Sequence, residues 1–125
     1  MAILTEEMKE MVKERRPGFV ATASKNGVPN VSARGSVRVI DDNTLGFACF
    51  WSGKTIKNLE ENPNIAIAVA DLKAMRGFQF KGKATVERSG PFFEAVKTEY
   101  SERKLVPQCV VRLAVTKVHP LPPRA

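Results

Sequence analysis

Apolar positions along the chain change period several times, and each change marks an element. Leu4, Met8, Met11 and Val12 fall at helical spacing. Thr5 caps that helix, with Glu6 and Glu7 as favourable first-turn charge, and it ends before Pro17. Gly18 to Ser24 reads as a strand, and Lys25-Asn26-Gly27 supplies an Asn-Gly turn, the strongest short hairpin signal. Asn30 to Ile40 alternates as one strand, with Val31, Ala33, Gly35, Val37 and Val39 on one face and Ser32, Arg34, Ser36 and Arg38 on the other. Asp41-Asp42-Asn43 turns the chain into a strand from Thr44 to Phe50, followed by a short helix from Lys54 to Glu61 that stops at Asn62-Pro63.

Ile65 to Ala70 is apolar at every position, the pattern of a strand buried on both faces. Gly77 to Arg88 alternates again, placing Phe78, Phe80, Gly82, Ala84 and Val86 inward, until Gly90-Pro91 breaks it. Pro91 to Lys104 is a helix by pattern, with Phe92, Val96 and Tyr100 on one face, and Cys109 to Val118 closes as the last strand. The elements predict a mainly β fold: a six-stranded antiparallel barrel with about three flanking helices.

Size adds that this is one domain spanning residues 1–125, with 43% hydrophobic residues, far from a disordered composition. No apolar stretch is long enough to span a bilayer, and the N-terminus has neither a cationic start nor a signal-peptide core. The expectation is a cytoplasmic protein without a membrane partner. A net charge of +7 invites a nucleic-acid reading. The distribution opposes it, since basic residues are scattered among acidic ones and no aromatic-interleaved basic stripe occurs. The same bias would draw in a small phosphorylated ligand.

Chemistry concentrates in Trp51-Ser52-Gly53-Lys54-Thr55, between a strand and a helix start. A helix start offers unpaired N–H groups and the positive end of the helix dipole, and Lys54 and Thr55 add a charge and a hydroxyl suited to phosphate. An ordinary solvated Gly-Lys-Thr turn is the competing reading. It is not a P-loop, because Ala48 stands where that motif needs glycine. Cys49 and Cys109 lack metal-ligand spacing and read as small strand hydrophobes, and His119 reads as a strand-end residue. No metal cluster, acid–base pair or nucleophile triad is visible, so the catalytic residues stay unassigned.

Three stretches taken together carry a family likeness. Gly27-Val28-Pro29-Asn30-Val31-Ser32-Ala33-Arg34, Leu45-Gly46-Phe47-Ala48-Cys49, and Lys54-Thr55-x-x-Asn58-Leu59-Glu60-Glu61-Asn62-Pro63 resemble the FMN-binding split barrels related to pyridoxamine 5′-phosphate oxidase. Among these, the small FMN-binding and flavoredoxin-like proteins are the nearest in pattern. The resemblance implies a split barrel, a homodimer with cofactor sites at the subunit interface, and FMN as cofactor. It assigns Arg34, Lys54 and Thr55 to the phosphate, Gly35, Ser36 and Val37 to the flavin ring, and Ala48 and Cys49 to further flavin contacts.

The chain departs from the oxidases at two places. Arg76 is followed by Gly77 where they carry glutamine, and no arginine- and tryptophan-bearing segment follows Val118. The expected function is therefore that of an FMN-dependent oxidoreductase or electron-transfer flavoprotein, not a true pyridoxamine 5′-phosphate oxidase. Two alternatives stand beside it: a non-catalytic haem- or flavin-binding carrier or sensor, and a deazaflavin-dependent reductase. The substrate or redox partner is not legible. For Arg34 the competing reading is a solvated arginine, and for Gly35 a barrel bend. Trp51 reads either as the pocket mouth or as a packing contact. Trp51, Phe78, Phe92 and Phe93 are the candidate apolar surface for a second subunit.

Overall fold

The computed structural model describes residues 2–51 and 53–122. Ser52 and the last three residues of the proline-bearing tail lie outside them. The chain runs α1 (Glu6–Glu14), β1 (Gly18–Ala23), β2 (Pro29–Arg34), β3 (Arg38–Asp41), β4 (Thr44–Cys49), α2 (Lys54–Glu61), β5 (Asn64–Asp71), β6 (Arg76–Glu87), α3 (Pro91–Glu99) and β7 (Cys109–Leu121). All strand pairs are antiparallel, in the order β2-β1-β5-β6-β7-β4-β3. Thr5 caps α1 as its sequence predicts, its Oγ1 accepting from the Met8 amide at 3.2 Å.

The sheet has seven strands, not six, because the expected strand from Asn30 to Ile40 is two. Its halves, β2 and β3, form opposite edges of the sheet, yet only residues 35–37 separate them. Seven flat strands would hold those edges about 29 Å apart, at about 4.8 Å per neighbour. The four steps from Arg34 to Arg38 can span at most about 14 Å. The sheet must curl until its edges meet, which makes it a split barrel. Val37 sits at that junction, fully buried, where Gly18 of β1 leaves room for it; a Cβ on Gly18 would lie 2.8 Å from Val37 Cγ2.

Splitting the strand also overturns its expected faces. Val31 is 67% exposed while Val37 is buried, so the two do not share a face. Asn30, Ser32 and Arg34 are the partly covered residues of β2, on the side where α2 packs. β5 departs in the same direction. Ile65, Ile67 and Val69 are buried, but Ala66 and Ala68 are only half-covered and Ala70 is exposed, so this strand is buried on one face. α3 is shorter than its pattern suggests: it ends at Glu99 and passes through one tight turn, Ser101–Arg103. Phe78, considered as subunit surface, is 4% exposed and belongs to the core.

Phe47, Phe80, Leu45, Ile67 and Leu113 fill the barrel, and Leu4 and Val12 bring α1 onto the same core. A smaller cluster of Ala48, Val96 and Val110 seats α3 outside β4 and β7, with Phe92 and Phe93 packed half-buried against it. β6 and β7 run 12 and 13 residues and bend at an irregularity between Lys81 and Gly82. A Cβ at Gly82 would lie 1.9 Å from the Ala114 carbonyl oxygen. Backbone cannot yield as a flexible side chain does, so Gly82→Ala should destabilise the domain by about 3 kcal/mol. The check is a lower urea midpoint at unchanged slope; an unchanged midpoint would show that the strands do not approach this closely.

Candidate functional site

The junction between the two sheet edges lies beside the start of α2, and the polar residues there are connected. Arg34 Nε donates to Ser32 Oγ at 3.2 Å, and Ser32 Oγ lies 3.3 Å from Thr55 Oγ1 in the first turn of α2. Arg34 Nη1 also reaches the Ala48 carbonyl at 3.5 Å, and its guanidinium stands 5.7 Å from the centre of the Phe47 ring. A ladder of three side chains thus ties β2 to the helix start. Two further residues anchor α2: Asn58 Nδ2 donates to Thr22 Oγ1 at 3.1 Å, and Asn62 Nδ2 to the Ser24 carbonyl at 3.3 Å. The Asn-Leu-x-x-Asn-Pro motif therefore does structural work, fastening the helix to β1.

α2 begins at Lys54 after the N-cap residue Gly53, without a side-chain cap and without an acidic residue in its first turn. Lys54 is exposed there, while Thr55 is buried with its hydroxyl turned to Ser32. An uncapped helix start with an exposed lysine beside it, and an arginine one strand away, is an arrangement for an anion. Gly35 and Gly53 flank it. Neither is required by the chain itself: a Cβ at either position would meet open space, and neither backbone is left-handed. The space in front of both is free for a ligand. Gly35 also lies in the turn between β2 and β3, so the bend and the open approach coincide.

The eight residues implied by the resemblance divide into groups of four, three and one. Ser32 links Arg34 to Thr55, and Gly35 and Lys54 are their exposed chain neighbours. The side chains of Val37, Ala48 and Cys49 are buried in the two apolar clusters. Ser36 is buried and serves the fold. Its Oγ accepts from the Ala48 amide at 2.9 Å and donates to the Ala48 carbonyl at 3.4 Å. β3 has ended by then, so a serine side chain continues the ladder along β4. Trp51 is 71% exposed, edge-on to Phe50 at 6.0 Å, which in turn packs on Tyr100. Cys49 lies opposite Cys109; the Cys109 thiol, donating to Cys49, together with Arg34 holds the Cys49 thiol below its ordinary range, and that hydrogen bond with burial pushes Cys109 up.

Ser32 and Thr22 were not singled out by their sequence context, although Ser32 lies on the same polar face as Arg34 and a helical asparagine such as Asn58 commonly needs a partner. Among the described residues no buried side-chain nitrogen or oxygen lacks one.

The model of the family described as pyridoxamine 5′-phosphate oxidase matches residues 4–121. The chain belongs to that family. An uncharacterised protein of Methanocaldococcus jannaschii is 35% identical to it over 122 residues, covering 94% of this chain and 80% of that protein. Among solved structures, HupZ of Group A Streptococcus is 32% identical with a TM-score of 0.88, covering 95% of this chain and 94% of that one. An FMN-binding protein from Syntrophomonas wolfei shares the fold at a TM-score of 0.83 and 17% identity, over 96% of this chain and 87% of that one. In this family member the mouth is built on a serine bridge that can be tested directly. Ser36→Ala leaves the buried Ala48 amide unpaired and should cost about 1–3 kcal/mol. Urea unfolding checks it, and an unchanged midpoint would mean that β4 does not depend on this side chain.

Proposed function

We propose that this protein is an FMN-binding flavoprotein, acting as an oxidoreductase or electron-transfer protein rather than as a true pyridoxamine 5′-phosphate oxidase. The observation that carries the reading is the uncapped start of α2 with exposed Lys54, set beside Arg34 and the Ser32–Thr55 bridge, in a chain of this family. A phosphate dianion matches that donor set. Lys54 would pair with it, the first amides of α2 would donate to it, and Arg34 has donors left beyond those given to Ser32 and Ala48. Open space at Gly35 would admit the ring, and exposed Trp51 would cover it at the mouth. FMN, when bound, supplies the redox chemistry. The chain's own part is to hold the phosphate, orient the ring and exclude water.

A homodimer belongs to this proposal. Phe19 is 49% and Val31 67% exposed, and they share the outer face of β1 and β2 with Ala21 and Ala33, beside Ala66 and Ala68 of β5. This apolar face borders the mouth at Gly35. A second copy seated on it would shield the ring from water, and a stable dimer of this kind buries about 1,600 Å² or more in total. The oxidoreductase reading needs an acceptor or donor, and its site is expected to be cytoplasmic; among the described residues, no helix is long and apolar enough to cross a membrane.

An absorption spectrum of the purified protein tests the cofactor. Flavin bands are expected; a Soret band in their place, or a deazaflavin spectrum, would replace FMN in this reading. Lys54→Ala should weaken FMN binding by roughly 10- to 100-fold without changing stability. Riboflavin, lacking the phosphate, should be little affected, and equal losses for both ligands would remove Lys54 from the phosphate site. For assembly, light scattering should show a dimer at micromolar concentration and a folded monomer for Val31→Asp, with FMN affinity falling alongside. A wild-type monomer that holds FMN tightly would sink the dimer model.

A further inference from the structure

Cys49 and Cys109 stand at one corner of the barrel. They are direct partners in the β4–β7 register, Cys49 the last residue of β4 and Cys109 the first of β7. Both side chains are fully buried in the main core, so they project from the same face of the sheet. Directly opposed residues of an antiparallel pair have Cα atoms about 4.5 or 5.5 Å apart. Disulfides span Cα separations of about 4.4–6.8 Å. The register therefore already satisfies the span of a bridge, and the two buried thiols face each other across it. Apolar side chains would also fill this corner, whereas two facing thiols add a chemistry that packing does not need.

We propose that Cys49 and Cys109 form a two-electron thiol switch, closing reversibly into a cross-strand disulfide when a small peroxide oxidises them. Cys49 is the attacking sulfur, since Cys109 and Arg34 both favour its thiolate. The thiolate attacks one oxygen of hydrogen peroxide and breaks the O–O bond, leaving a Cys49 sulfenic acid and hydroxide. Hydroxide takes up the proton that Cys49 lost. The Cys109 sulfur then attacks the Cys49 sulfur, forming the S–S bond; the departing hydroxide carries away the Cys109 proton as water. Two thiols and one peroxide become one disulfide and two waters, with two electrons passing from sulfur to oxygen.

Burial would protect these thiols in the middle of a strand, but both lie at strand ends. That end is held by the Gln108 amide donating to the Cys49 carbonyl at 2.8 Å, next to the connection after α3. Fraying there admits a molecule the size of peroxide without global unfolding. The switch sits directly behind the candidate site. Cys49 follows Ala48, whose carbonyl receives both Arg34 and Ser36. The inference does not depend on which cofactor binds.

Intact-mass spectrometry of the full chain tests it. After brief peroxide treatment, denaturation and alkylation, the wild-type protein should lose two hydrogens and take up no alkyl group. Peptide mapping should join the segments holding Cys49 and Cys109, and dithiothreitol should restore both alkylation sites. Cys109→Ser should stop at a Cys49 sulfenic acid that dimedone traps, and Cys49→Ser should consume peroxide far more slowly. The wild-type mapping decides the question even if a variant folds poorly. Two alkyl groups on peroxide-treated protein, or separate over-oxidation of each sulfur, would overturn the proposal and leave the pair as inert core.

Discussion

Everything at the candidate site follows from one connection, residues 35–37, which joins the two edges of a seven-stranded sheet. A chain segment that short cannot cross a flat sheet, so the sheet closes on itself and brings β2 to β4. Arg34 can then reach the Ala48 carbonyl, and Ser36 can take over the ladder where β3 stops. The barrel's interior supplies the stability, with Val20, Phe47, Ile67, Phe80 and Leu113 all fully buried. The junction supplies the chemistry, because at the junction backbone pairing gives way to side-chain pairing.

That exchange explains the polar layer beneath α2. An inward-facing serine, threonine or arginine costs free energy when left unpaired, and a helix start carries unpaired amides of its own. Here Ser32, Arg34 and Thr55 satisfy one another, and Thr22 and Asn58 do the same one turn along. The helix is fixed from beneath through its own side chains, which leaves Lys54 exposed at an uncapped start. A rigid mount with an open, cationic front is the arrangement that anion recognition requires.

Much of this was legible along the chain. The Asn-Gly turn, the Thr5 cap, the alternation of β6 and the stop at Asn62-Pro63 are local signals, and each appears where its residues place it. Local chemistry decides them because their hydrogen bonds close within a few residues. The family likeness assigned Arg34, Lys54 and Thr55 to one site, and in the fold Ser32 links Arg34 to Thr55.

What the pattern of residues could not determine is which side of a strand meets the core. Alternation from Val31 to Val39 is continuous in sequence, and nothing local reveals that the two halves belong to opposite edges. Tertiary closure breaks the strand at Gly35–Val37, turns Val31 outward and buries Val37. In the same way, the apolar run of β5 is covered on one face only, and Phe78 is core rather than surface. The order of helices and strands and the residue types near α2 could be read along the chain, since they depend on near neighbours. Facing, strand count and the pairing of Cys49 with Cys109 come from closure, because they depend on how a sheet wider than its connection can span must curl.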